Sequence, residues 1–239
     1  VSTFQATDTI ARILKASPET SRVFEKAGMD YCCGGGVSLE AACEERGLDA
    51  AALLNELEAC AGIDGASGEN VSALSLTRLA DHIESTHHAY LRAELPRLLA
   101  MTEKVAMVHS GKNPRLLRVH ETFALLAREL SEHLDKEEQI LFPMVRQLDN
   151  GGEAPAFHCG SVANPVAQME REHDEAEASI SELRALTDGY VPPKWACGTY
   201  RAMLSGLARF DGDMLIHIYK ESTMLFPRAV FREQELSER

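Results

Sequence analysis

Long apolar runs are missing from this 239-residue chain: nothing approaches the ~18 consecutive apolar residues of a transmembrane helix, so no membrane span is expected. The stretch VSTFQATDTI has neither a basic region nor an apolar one, so no secretory signal is expected either. Positive charge is scarce. Lys and Arg number 24 against 37 Asp and Glu, a formal net charge of −13, whereas nucleic acids and anionic membranes reward basic surfaces. The six cysteines, Cys32, Cys33, Cys43, Cys60, Cys159 and Cys197, form no CxxC pair and no zinc-finger spacing. Cys32 and Cys33 are adjacent, a strained arrangement for a mutual disulfide, and together with the absent signal this points to a reducing, cytoplasmic setting. Strand-like alternation is almost absent and aromatic residues make up only 6%. The hydrophobic content, 45%, is nevertheless ordinary for a globular protein and excludes wholesale disorder.

What the chain has in abundance is Glu, 26 of its 37 acids, accompanied by nine His. Glu favours helices over Asp, and Glu with His is the ligand set of carboxylate-bridged metal sites in helical bundles.

The clearest break is Ala61-Gly62-Ile63-Asp64-Gly65-Ala66-Ser67-Gly68-Glu69-Asn70, which has no apolar period. It places a linker at 62–72, between a small helical domain over 1–61 and a larger one over 73–239. In the small domain Asp8 is positioned to cap one helix and Ser17-Pro18 to start a second. The glycine run 34–36 demands a loop over Gly28–Gly36. Ser38 and Asp49 are positioned to cap a third and a fourth helix. So small a unit has a marginal core and calls for a partner surface, the other domain or a second copy in a homodimer. The larger domain shows helical period over about 73–109, where Pro96 predicts a kink, and over about 114–148, 163–187 and 197–235. Four long helices joined by loops predict an all-α fold, an antiparallel four-helix bundle.

Two of these helices repeat a pattern. His133-Leu-Asp-Lys-Glu137 is followed by Leu141-Phe142-Pro143, and His217-Ile-Tyr-Lys-Glu221 by Leu225-Phe226-Pro227, at identical offsets. The other two helices contribute His87-His88 and His173-Asp174. Residues four apart share a helix face, so a His and a Glu so spaced can reach one metal ion, or one ion and a bridge to its neighbour. Imidazole with carboxylate suits Fe, Mn or Zn, and the cations would offset buried glutamate charge that is otherwise costly. Nine His meet about one HxxxE by chance in a chain with this much Glu; the sequence has them at His133, His173 and His217. A single such pair reads as a solvated surface pair; the shared eleven-residue pattern is what favours ligands. The LFP ending reads as packing and helix termination. His82, His88, His109, His120 and His158 read as surface or supporting groups, and Glu129 and Glu172 as supporting acceptors, proton relays or plain solvated acids.

Asp30-Tyr31-Cys32-Cys33-Gly34-Gly35, ahead of a His/Glu four-helix region, resembles the repair-of-iron-centres family, the YtfE/ScdA/DnrN-type di-iron proteins, over essentially the whole chain. The resemblance implies a small N-terminal domain marked by the DYCCGG loop and a hemerythrin-like bundle. It implies iron ligands His87, His133, Glu137, His173, His217 and Glu221, with His88, one position on, as the alternative to His87. Glu137 and Glu221 would bridge the ions, His87 and His217 serving one and His133 and His173 the other. The implied cofactor is two non-haem iron ions joined by an oxo bridge. The implied function is repair of iron–sulfur clusters damaged by nitric oxide or oxidants, by supplying iron, rather than conventional enzyme turnover. Damaged iron–sulfur proteins are then the partners, and nitric oxide or oxygen the small ligands. Cys32 and Cys33 match the family's cysteine pair, for which redox or nitric-oxide chemistry is implied; a structural turn with inert thiols is the alternative.

The pattern departs from oxygen-carrying hemerythrins. Glu177 stands where they have a further His, and Glu221 replaces an Asp that lies one residue further along, so reversible oxygen carriage is disfavoured. Glu177 reads as an extra ligand, a supporting acid or a solvated one. Two other functions compete with repair: nitric oxide reduction at the metal pair, and oxygen or nitric-oxide sensing by the bundle.

Overall fold

The computed structural model describes residues 4–17, 20–27, 29, 37–62, 71–150 and 157–238. Among these there is no β-strand; the isolated bridges Thr9–Ser38 and Phe157–Gly160 are their only extended pairings. The all-α expectation therefore holds. The chain divides into two compact units, Val1–Ala73 and Leu74–Arg239. Most of the segment expected to be a linker, 63–70, lies outside the described residues.

The first unit contains α1 (Ile10–Ala16), α2 (Ser21–Lys26), α3 (Leu39–Arg46) and α4 (Ala50–Gly62). A capping side chain must reach an N–H two or three residues on. Because α1 starts at Ile10, that position falls on Thr9, whose Oγ1 accepts from the Arg12 N–H, and not on Asp8. Asp8 instead accepts from the Gln5 N–H at 2.8 Å. α2 begins at Ser21, later than Ser17-Pro18 suggests. The Ser38 and Asp49 caps are present: Ser38 accepts from Ala41, and Asp49 from Ala51 and Ala52. α3 ends at Gly47, whose φ of +65° is the left-handed conformation that glycine adopts without a Cβ penalty. The helices bury Phe4, Ile10, Ile13, Phe24, Leu39 and Leu57 together. Residues 30–36, with the DYCCGG loop, lie outside the described residues.

The second unit is four rods. The first runs through α5 (Leu76–Ile83), a π-helical turn Glu84–His88, and α6 (Ala89–His109); the second through α7 (Arg115–Lys136), a π turn Glu137–Leu141, and α8 (Phe142–Asp149). α9 (Ala163–Leu186) is the third. The fourth is α10 (Gly198–Tyr219), a π turn Lys220–Leu225, and α11 (Phe226–Ser237). α6 continues through Pro96. α6 packs on α7 and α10, α7 on α9, and α8 on α5 and α11. Their apolar stripes meet in a core around Leu95, Leu98, Phe123, Leu126, Leu207 and Phe210, where the Phe123 and Phe210 rings meet edge to face at 5.6 Å. Gly206 lets α10 approach α6 closely: a Cβ there would stand 2.6 Å from Leu98 Cδ2. No helix among the described residues is long and apolar enough to cross a membrane.

The π turns were invisible in the sequence, yet two of them have a local cause. In an α-helix the Pro143 nitrogen would have to donate to the carbonyl four residues back, which it cannot do. The chain instead closes a wider turn, with Phe142 N–H bonded to the Glu137 carbonyl, and restarts α geometry with Pro143 in its first turn. Phe226 N–H and the Glu221 carbonyl do the same ahead of Pro227. The LFP ending thus widens each helix without terminating it, contrary to the reading from sequence.

Candidate metal centre

The wide turns lie at the level where three of the rods present ligand-type side chains. His88, Glu137, His217 and Glu221 place ligand atoms within 4.8 Å of one another; so do His133, Glu137, His173 and Glu221. Both carboxylates belong to both groups, and all six residues are buried. His133 Nε2 lies 3.3 Å from Glu137 Oε2, His217 Nε2 2.9 Å from Glu221 Oε1, and His173 Nε2 3.1 Å from Glu221 Oε2. His88 Nε2 lies 3.4 Å from Glu137 Oε2 and 3.2 Å from His217 Nε2.

Of the six residues put forward from sequence, five are brought together, and His88 stands where His87 was placed. In an unbroken α-helix the buried stripe Leu76, Leu79, Ile83 continues to His87. The π turn adds a residue, so the same face reaches His88. His87 is also buried but turns away. Its Nδ1 lies 3.0 Å from Asp213 Oδ1, and its Nε2 2.9 Å from Lys220 Nζ. Glu177 is exposed and in neither group. Cys32 and Cys33 lie outside the described residues.

The imidazoles are oriented from behind. His88 Nδ1 lies 3.0 Å from Glu138, His133 Nδ1 2.9 Å from Glu172, and His173 Nδ1 3.2 Å from Ser222 Oγ. Glu172 is itself held by Lys136 and Gln168. The repeat also exchanges ring platforms between rods: Phe142 stacks on His88 at 5.4 Å and Phe226 on His173 at 5.9 Å. Glu138, Ser222 and the two Phe were not singled out from sequence as serving the site, because each acts across rods and nothing in local spacing shows it.

The electrostatics are those of a cation site. Burial pulls the His88 imidazole pKa down, but the nearby carboxylates of Glu137 and Glu221 outweigh it and push it up to about 10. His133 goes up to about 9 in the same way, against its burial, chiefly through Glu137. Burial and the Glu221 charge push Glu137 up; His133 and His88 outweigh them and hold it below its ordinary value. Burial likewise pushes Glu221 up, and His217, His173 and His88 hold it well below. Even so, His133 Nε2, His173 Nε2, both oxygens of Glu137 and one of Glu221 are buried without a hydrogen-bond partner. Orphaned groups of this kind are costly unless something pairs with them. Imidazole nitrogens and carboxylate oxygens converging in this way suit a divalent or trivalent cation. A cavity of about 170 Å³ between α7 and α9 reaches His133 and is lined by Glu129, Glu132, Glu172 and Glu175.

Removing an orienting partner should be felt at the metal. Glu172→Ala is expected to weaken metal binding about 10–100-fold without unfolding the bundle, as read by metal titration alongside circular dichroism.

Residues 79–229 match the hemerythrin HHE cation binding domain, and residues 6–61 match ScdA_N, a domain of unknown function. The chain is 37% identical over 218 residues to the iron-sulfur cluster repair protein YtfE of Musicola paradisiaca, covering 90% of this chain and 92% of that protein. It is 32% identical over 225 residues to a probable iron-sulfur cluster repair protein of Haemophilus influenzae, covering 92% and 96%. To the YtfE of a Yersinia pseudotuberculosis strain it is 36% identical over 217 residues, covering 90% and 93%.

Proposed function

Because the chain belongs to the hemerythrin-domain family of iron–sulfur cluster repair proteins, we propose that it holds two non-haem iron ions between His88, His133, Glu137, His173, His217 and Glu221 and supplies iron to damaged clusters. The observation that supports this is the pair of four-residue groups sharing Glu137 and Glu221, with ligand atoms in them left unpartnered inside the bundle. An oxo bridge between the ions, and damage by nitric oxide or oxidants as the occasion for repair, belong to the same reading. So does redox chemistry at Cys32 and Cys33.

The chain's own part is binding, orientation and access. His88, His133 and His173 are turned by Glu138, Glu172 and Ser222 so that Nε2 faces the carboxylates. Glu137 and Glu221 stay ionised and lie in reach of both positions. Phe142 and Phe226 cover two of the rings and exclude water from them. Bound iron would supply a one-electron redox change and a cation that can be exchanged. The acidic walls of the cavity at His133 favour the passage of cations between solvent and the site.

The test is transfer of labelled iron. Iron-loaded protein, incubated with an enzyme whose iron–sulfur cluster has been damaged, is expected to restore its activity and leave the label in the restored cluster. Restoration without label would overturn iron supply. Steady consumption of nitric oxide without restoration would favour a reductase instead.

A further inference from the structure

Lys220 is buried, 7% exposed, and it directly precedes Glu221. Its Nζ lies 2.9 Å from His87 Nε2 and 2.9 Å from His82 Nε2. An ammonium has donors and no acceptor, so both imidazole nitrogens accept from it. A His that accepts at Nε2 carries its proton on Nδ1, and His87 donates that proton to Asp213 Oδ1 at 3.0 Å. The order Lys220 to His87 to Asp213 is thereby set. It also accounts for the choice between two adjacent histidines: the lone pair of His87 is occupied, and that of His88 faces the carboxylates. The His87 ring lies nearly parallel to His217, 10° off, with centroids 5.5 Å apart.

This places a buried cation beside the metal site without making it a ligand. Oxidation of a ferrous ion adds a positive charge near Lys220, and like charges repel more strongly in a poorly solvated interior than in water. Asp213 opposes the effect, but its side chain is 23% exposed and stands on the far side of His87, where solvent screens it more.

We propose that Lys220 sets the redox balance of the metal pair, its fixed positive charge favouring the ferrous state. The inference rests on the reading that iron occupies the His/Glu site. Ferrous iron exchanges its ligands more readily than ferric, so the same charge favours release. The step is the gain of one electron by one ferric ion from a soluble one-electron reductant; no bond is made or broken at Lys220.

The test is a spectroelectrochemical titration of the full iron-loaded chain with a viologen-type mediator, with iron counted in every sample. Lys220→Met is expected to bind as much iron as the unaltered chain. Its reduction equilibrium should move about tenfold toward the ferric form, about 59 mV for a one-electron step. Lys220→Arg, which keeps the charge, should stay near the unaltered potential. An unchanged potential in Lys220→Met overturns the inference, as does an equal fall in Lys220→Arg, which would mark packing as the cause. Loss of iron from Lys220→Met also overturns it, since the lysine would then hold the site together. An unaltered chain that takes up no iron overturns the metal assignment and this inference together.

Discussion

Purified Glu137→Gln and Glu221→Gln proteins are expected to stay folded and to lose their iron. Each carboxylate belongs to both four-residue groups, so one substitution removes an oxygen from two positions at once. It also removes one of the two negative charges that offset the cations. Partners one step behind a metal ligand typically matter about 10–100-fold in affinity, and loss of a shared ligand should exceed that. The iron count should fall from about two per chain to below about one. Gln keeps the size of Glu, so the substitution opens no cavity in the interior. Far-ultraviolet circular dichroism separates an emptied bundle from an unfolded one. His109→Ala is the matched control: His109 lies against Tyr200 and Cys197, outside both groups, and that protein should keep its iron. Full iron in both Gln variants would refute the shared-carboxylate assignment.

The second large effect is a proton count. Without metal, His88 is pushed up to about 10 and His133 to about 9, so both are protonated at pH 7. Metal binding needs both as neutral ligands, whereas Glu137 and Glu221 are already ionised. Loading therefore releases about two protons per chain. Because protons compete with the metal, affinity falls as pH falls, by about 100-fold per pH unit below about pH 9. The dependence flattens above about pH 10, where neither imidazole has a proton to give up. Anaerobic ferrous titration of stripped protein in weak buffer with a pH indicator reads the release directly. An affinity that does not change between pH 6 and 8 would contradict the two protonated imidazoles.

Much of this molecule is legible in the order of its residues. The 3.6-residue period marks the four rods, and the HxxKE…LFP repeat picks out His133, Glu137, His217 and Glu221 without help from tertiary structure. His173 follows from its place on the remaining rod. The choice between His87 and His88 is not legible, because it depends on a π turn and on Lys220 and Asp213, more than 120 residues away. Thr9 replaces Asp8 as a cap for a plainer reason: helix starts shift by a residue, and both side chains can do the work. Glu172 could be noticed beside His133 only as a nearby acid in the fold, since α9 brings it there. Local patterns thus name the ligand types, while their partners come from packing between rods.

The three wide turns also bear on how the gene can vary. Each holds one residue more than an α-helical turn would. Deleting one residue within 137–141 would relax that segment to ordinary α geometry and leave the stretches on either side facing as they do, since the wide turn already takes up the extra residue. The same loss within the α segments that flank it would turn one part of the rod against the other by about 100°, and His133 or the Phe142 platform would then face solvent. The wide turns are thus the places where a rod can lose a codon without reversing its buried face. Drift in length should therefore be confined to these turns and to the connections between rods.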